Sequence, residues 1–174
     1  MITRKTNVIL RGKTGFTKDK KMNYVFVLAF GIGIVAGLRS LTAPAVVAWG
    51  AHLGWLNLHG SPLAFVGSTT AVAIFSLLAI GELIADKLPM IPKRTAPAPL
   101  IARVATGGLC GACLCAAVGN SLLAGALLGG IGGIVGAFLG YSIRRRFDLH
   151  IKDSVVAVCE DAIAIGFALF LVSR

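Results

Sequence analysis

The sequence predicts an all-α, polytopic helical membrane protein, and three observations predict it. The chain is 56% hydrophobic and 14% charged, against about 25% charged residues in an ordinary soluble domain. Its apolar residues fall into long uncharged runs separated by short basic clusters, the pattern of repeated membrane crossings. It also carries 22 glycines, many at the four-residue spacing that lets helices approach closely in lipid.

Residues 1–22 are polar and basic, without apolar periodicity, and read as a disordered cytoplasmic tail. Residues 23–174 form the helical transmembrane domain. Met22 directly precedes the first apolar run and is an alternative start. The basic start also resembles a secretory signal, but Ala43-Pro44-Ala45 is a poor cleavage site, so an uncleaved first span is expected.

Hydropathy places five spans, at about Tyr24–Leu41, Leu63–Asp86, Leu100–Val118, Ser121–Ile143 and Ser154–Val172. Each approaches the ~17–25 residues a crossing needs at 1.5 Å per residue. Leu41–Leu58 is apolar but broken by Pro44, Gly50 and Gly54. A re-entrant half-helix accounts for it, because irregular backbone survives at depth when buried in protein; a sixth span is the alternative. With the N-terminus inside and five spans, 15 of the 17 Lys and Arg fall on the cytoplasmic side of an inner membrane, as the positive-inside rule requires. This puts the C-terminus outside.

Gly31-Ile32-Gly33-Ile34-Val35 resembles Gly130-Ile131-Gly132-Gly133-Ile134-Val135, and Val72-Ala73 with Ala79-Ile80-Gly81 echoes Ala157-Val158 with Ala164-Ile165-Gly166. In the five-span topology both pairs run oppositely, which predicts inverted two-helix repeats of the kind found in transporters.

The candidate functional residues are the charges inside this apolar chain. Gly81-Glu82-Leu83-Ile84-Ala85-Asp86-Lys87-Leu88-Pro89 closes the second span, and Glu82 and Asp86 share one helical face. Pro89, Pro92, Pro97 and Pro99 oppose further helix. Arg39 lies in Gly37-Leu38-Arg39-Ser40-Leu41-Thr42-Ala43-Pro44. At the bilayer centre Arg costs at least ~2.5 kcal/mol, so it needs a partner, a wet cavity or a route by which to snorkel out. Ser40, Thr42 and amides freed near Pro44 would line a pathway there. Glu160 and Asp161, early in the fifth span, point about 100° apart and need an enclosing bundle. Arg39, Glu82, Asp86, Glu160 and Asp161 are therefore the expected solute- or ion-binding set, with structural pairing to Lys and Arg as the plain alternative.

Other classes are disfavoured. The net charge of +10 lacks the interleaved aromatics of a nucleic-acid surface and fits anionic head groups better. Cys110, Cys113, Cys115 and Cys159 have no flanking Cys/His cluster, and the first three lie on a small-residue helix face. No metal and no cofactor is expected, and no catalytic residue set is evident. Gly125/Gly129/Gly133 and Gly132/Gly136/Gly140 form two small-residue stripes, for packing in the bundle or across a homo-oligomer. Trp49, His52 and Trp55 read as an interfacial belt.

The Gly37-Leu38-Arg39-Ser40 motif with Pro44, the Glu82…Asp86-Lys87-Leu88-Pro89 segment and the Glu160-Asp161 pair resemble a bacterial family of small integral membrane proteins catalogued as a domain of unknown function. The resemblance covers about residues 25–172. It implies an all-helical membrane protein and carries no mechanism. The functional expectation is a small-solute or ion transporter or channel, cation- or proton-coupled through intramembrane carboxylates and working as a homo-oligomer. The alternatives are a membrane scaffold docking a partner through the 87–103 loop and a lipid-acting membrane enzyme.

Overall fold

A computed structural model describes residues 23–85, 97–147 and 153–173, with side chains of 144–161 excepted. The described residues form six α-helices and no strand: α1 (Asn23–Leu38), α2 (Thr42–His52), α3 (Thr69–Ala85), α4 (Pro97–Ala117), α5 (Leu122–Phe147) and α6 (Asp153–Val172).

The helix boundaries have local causes. Pro44 cannot continue α1, because its ring would meet the carbonyl four residues back. In the first turn of a new helix it is tolerated, since its missing N–H would be unpaired anyway. The chain accordingly closes α1 with Arg39 N–H donating to the Val35 carbonyl and opens α2 with Ala45 N–H donating to Leu41. Pro97 and Pro99 fall in the first turn of α4 for the same reason, so that helix starts three residues before the expected Leu100. Two helices end in a Schellman turn. After α2, Gly54 at φ +80° lets Trp55 N–H reach the Gly50 carbonyl and Gly54 N–H reach Ala51. After α4, Gly119 at φ +68° does the same, with Asn120 donating to Cys115 and Gly119 to Ala116. Ser68 and Ser121 cap α3 and α5 through Oγ, accepting from Ala71 and Ala124 N–H.

Glycine sets the packing. Against α4, Gly125 of α5 faces Gly111, Gly129 faces Gly107, and Gly133 faces the Arg103 carbonyl, an antiparallel register. Against α1, Gly132 meets Phe30 and Gly33, and Gly136 meets Ile34 and Gly37, which is parallel. A Cβ at any of these α5 glycines would enter a neighbouring backbone. Gly125, Gly129 and Gly133 of one predicted stripe and Gly132 and Gly136 of the other are thus filled within the chain. Of the two uses expected of the stripes, packing in the bundle or across a homo-oligomer, these glycines serve the first, because the backbones of α1 and α4 occupy them.

α2 is the buried centre. Thr42 to Ala48 and Gly50 are shielded, and α2 packs against α3, α4 and α6. Trp49 Nε1 donates to Ser76 Oγ at 3.0 Å, and His52 Nδ1 lies 3.0 Å from the Gly67 carbonyl, tying α2 to the start of α3.

The helix directions correct two expectations. Val25 and Ala29 cluster with Cys115 of α4. Tyr24, Trp55, Gly119 and Val172 surround one cavity, so α1 begins at the end of the bundle where α2, α4 and α6 finish. At the opposite end the α1–α2 turn meets Glu82 of α3. α2 therefore runs back along α1 instead of dipping in and leaving by the same face. With six elements alternating in direction, the described chain begins and finishes at the same end, not at opposite ends. The inverted repeat fails too. α1 and α5 run parallel while α3 and α6 run antiparallel, and no single two-fold operation relates both pairs.

Among the described residues two helices, α4 and the Leu122–Ile143 part of α5, are long and apolar enough to cross a membrane. α1 (Asn23–Leu38), α3 and the apolar part of α6 (Ala162–Val172) are shorter, and α2, with 11 residues, spans only about 16 Å. The outer surface of the bundle is nonetheless apolar: Val27, Leu77, Ile84, Ile101, Leu123 and Ile163 are all more than 60% exposed.

Candidate functional site

The polar residues gather at the end of the bundle where α1 breaks. Glu82 sits one turn before the end of α3 and is half-buried. Its Oε1 accepts from Ser40 N–H at 2.8 Å and from Ser40 Oγ at 2.6 Å, and its Oε2 accepts from Leu41 N–H at 2.9 Å. Leu41 is the residue that precedes α2 and supplies no side-chain cap. Glu82 thus caps α2 from another helix. Its carboxylate takes two amides left open by the break and sits at the positive end of the α2 dipole. Charge-assisted bonds of this length are the strong kind.

Arg39 lies beside this joint at 1% exposure, and Arg103 of α4 is 6% exposed. The Arg103 carbonyl faces Gly133, whose own carbonyl faces Gly37, which puts Arg103 at the level of the α1 terminus. Arg39 and Arg103 each take part in interactions within the fold. Snorkelling to an outer interface, the plain expectation for Arg39, does not occur: the side chain is enclosed. Thr42, at 5%, and Pro44 are enclosed with it.

Of the predicted set, the structure brings Arg39, Ser40, Thr42, Pro44 and Glu82 together. α1 carries Arg39 to the end where α3 finishes, beside Glu82. Asp86 lies outside the described residues. Glu160 and Asp161 belong to α6, but their side chains lie outside the described residues. Among the described residues there is no group of three or more His, Cys, Asp or Glu that could hold a metal.

Cys110, Cys113 and Cys115 are free and buried, and Cys115 packs on Gly125 in the α4–α5 crossing. They act as small apolar residues. In a Cys159→Ser background these three thiols are expected to resist maleimide in the folded protein and react after denaturation in dodecyl sulfate. Rapid labelling of the folded protein would show that the crossing opens.

Sequence reasoning missed one feature, a cavity of about 720 Å³ at the other end of the bundle, between the start of α1, the α4–α5 turn and the end of α6.

The fold and the polar joint define a class: a small all-α bundle built round a short buried helix whose broken start is capped by a carboxylate from a neighbour. Residues 26–173 match the family described as Domain of unknown function (DUF4126), and the chain belongs to that family. No curated protein and no solved structure matches it.

Proposed function

We propose that the protein is a multi-pass membrane protein, of the inner membrane where there are two, that moves a small solute or ion. The observation that carries the membrane part is the outer surface. Soluble monomers rarely expose apolar patches larger than a few hundred Å², whereas here α3, α5 and α6 all turn Leu and Ile outward, and α5 and α6 add Phe. In lipid those side chains are solvated. Among the described residues Arg39 and Arg103 lie inside the bundle instead, as intramembrane charge does when it serves function.

Transport is supported by the broken α1–α2 element. Discontinuous helices with polar ends are where many carriers hold their cargo. Arg39 and the Ser40–Thr42 segment form one side of the path. Asp86, Glu160 and Asp161 hold the coupling cation or proton, and Glu82 fixes the break. A homo-oligomer would use the outer apolar faces, since the glycine faces are filled.

The test is flux in reconstituted vesicles under an imposed pH or cation gradient. Wild type is expected to show gradient-dependent uptake, and Glu160→Gln is expected to lower it at least about tenfold while the protein stays folded, since removing an intramembrane ion ligand leaves the cargo's charge uncompensated. No gradient-dependent flux in wild type, or wild-type flux in Glu160→Gln, would defeat the proposal.

One observation favours a second reading, a non-transporting scaffold docking a partner through residues 87–103. The Glu82 carboxylate accepts three hydrogen bonds from its own chain, as a structural brace would. That reading expects loss of partner association, with the bundle intact, when 87–96 is replaced by a neutral segment.

A further inference from the structure

The cavity at the end of the bundle opposite Glu82 belongs to neither of these readings. It encloses about 720 Å³, within the range of ligand sites at about 300–1,000 Å³. Elsewhere the chain packs glycine backbone against glycine backbone, and protein interiors leave few voids larger than a water. Leu28, Leu56, Leu114 and Leu171 form its apolar lining. Water there would find few partners, so an apolar guest is favoured.

The polar groups of the lining are specific. Asn57 Oδ1 accepts from His59 N–H at 3.2 Å, and Asn120 Oδ1 accepts from Ser121 N–H at 2.7 Å. With both carbonyl oxygens engaged, each side chain offers its Nδ2 amine as a donor. Tyr24 and Trp55, about half exposed, also line it; each carries a polar handle, a hydroxyl or an indole N–H, on a ring of the kind that sits at a membrane–water interface. Among the described residues no lining residue carries a charge. Donors without charge, above an apolar floor, match a neutral acceptor such as an ester carbonyl and give no hold on a phosphate. Val118 belongs both to the lining and to the exposed apolar surface.

We propose that this cavity is a lipid site that takes one acyl chain of a bilayer glycerolipid, with the ester carbonyl under Asn57, Asn120 and Trp55. This rests on the membrane reading and is independent of transport.

The probe is a phosphatidylcholine with a diazirine in its acyl tail, added to phosphatidylcholine vesicles containing the full chain, with adducts mapped by mass spectrometry. Retention of the chain through an alkaline carbonate wash is measured first. Loss of the chain in that wash removes the membrane reading and this site together. In a retained chain, adducts are expected to concentrate on Leu28, Leu56 and Leu114 over the outer residues Leu77 and Ile101. Ala117→Trp, which fills the cavity, is expected to cut the cavity adducts about tenfold by direct clash. Ile80→Trp, on the open face of α3, is expected to leave them unchanged. Excess glycerol monooleate should displace the probe from wild type, which reads the same site without any substitution. Adducts on the outer residues alone, or cavity adducts that glycerol monooleate does not reduce, overturn the lipid site and leave the membrane reading standing.

Discussion

Gly129→Ala is expected to destabilise the bundle by about 3 kcal/mol or to prevent folding, the upper end of what overpacking does. The added Cβ would enter the Gly107 carbonyl and press on Gly111 Cα at 3.1 Å. Both obstacles are backbone, so no rotamer change relieves them. α4 would have to move away from α5, and α5 also seats α1 through Gly132 and Gly136. The shift would therefore open a second crossing or be resisted by it. Gly132→Ala, which meets the Phe30 carbonyl, is expected to do similar damage through α1. The contrast lies in Gly81 and Gly166, where an added Cβ meets nothing within 4 Å. Replacing either by Ala is expected to stabilise by about 0.5–1 kcal/mol, because Ala loses less backbone freedom in a helix. Unfolding in mixed micelles of mild detergent and dodecyl sulfate, followed by circular dichroism, reads all four. Equal behaviour of Gly129→Ala and Gly81→Ala would refute the packing scheme.

The residues differ in how far their role was legible. The apolar runs, Pro44 and the spaced glycines predict the helices and the break, because helix formation and small-residue packing are read over a few turns of chain. That the fourth span carries two glycine faces was visible as well. Which neighbours fill them was not, since a stripe has no label for its partner. The re-entrant reading of Leu41–Leu58 failed for a related reason. Hydropathy measures how oily a segment is and carries no direction. The same error produced the inverted repeat, whose matched glycine segments in fact lie side by side in parallel. Glu82 was marked as deep and polar by its own neighbours. Its bonds to Ser40 and Leu41, some 40 residues distant, have no local signature. The cavity has none either, being made by four separate stretches of chain.

Glu82→Ala is expected to destabilise the protein by about 3 kcal/mol, more than removal of any other single polar side chain at the joint except the enclosed Arg39. The substitution removes three acceptor contacts. A hydroxyl can turn to another partner, but the N–H groups of Ser40 and Leu41 are fixed by the break in the backbone. A buried donor left open costs about 1–3 kcal/mol. Loss of the negative charge at the start of α2 removes a further ~0.3–1 kcal/mol of dipole interaction. Glu82→Gln separates these contributions. Its carbonyl oxygen keeps the Ser40 contacts, while its amine would face the Leu41 N–H, donor against donor, so an intermediate loss of about 2 kcal/mol is expected. Ser40→Ala removes one contact and leaves both amides satisfied, for a loss of about 1 kcal/mol. In the double variant with Glu82→Ala the losses should fall short of additivity by at least about 0.5 kcal/mol, as for any directly bonded pair. Strict additivity would mean that Glu82 does not hold the break. A Glu82→Ala protein as stable as wild type would return this carboxylate to the solute pathway, with capping no part of its role.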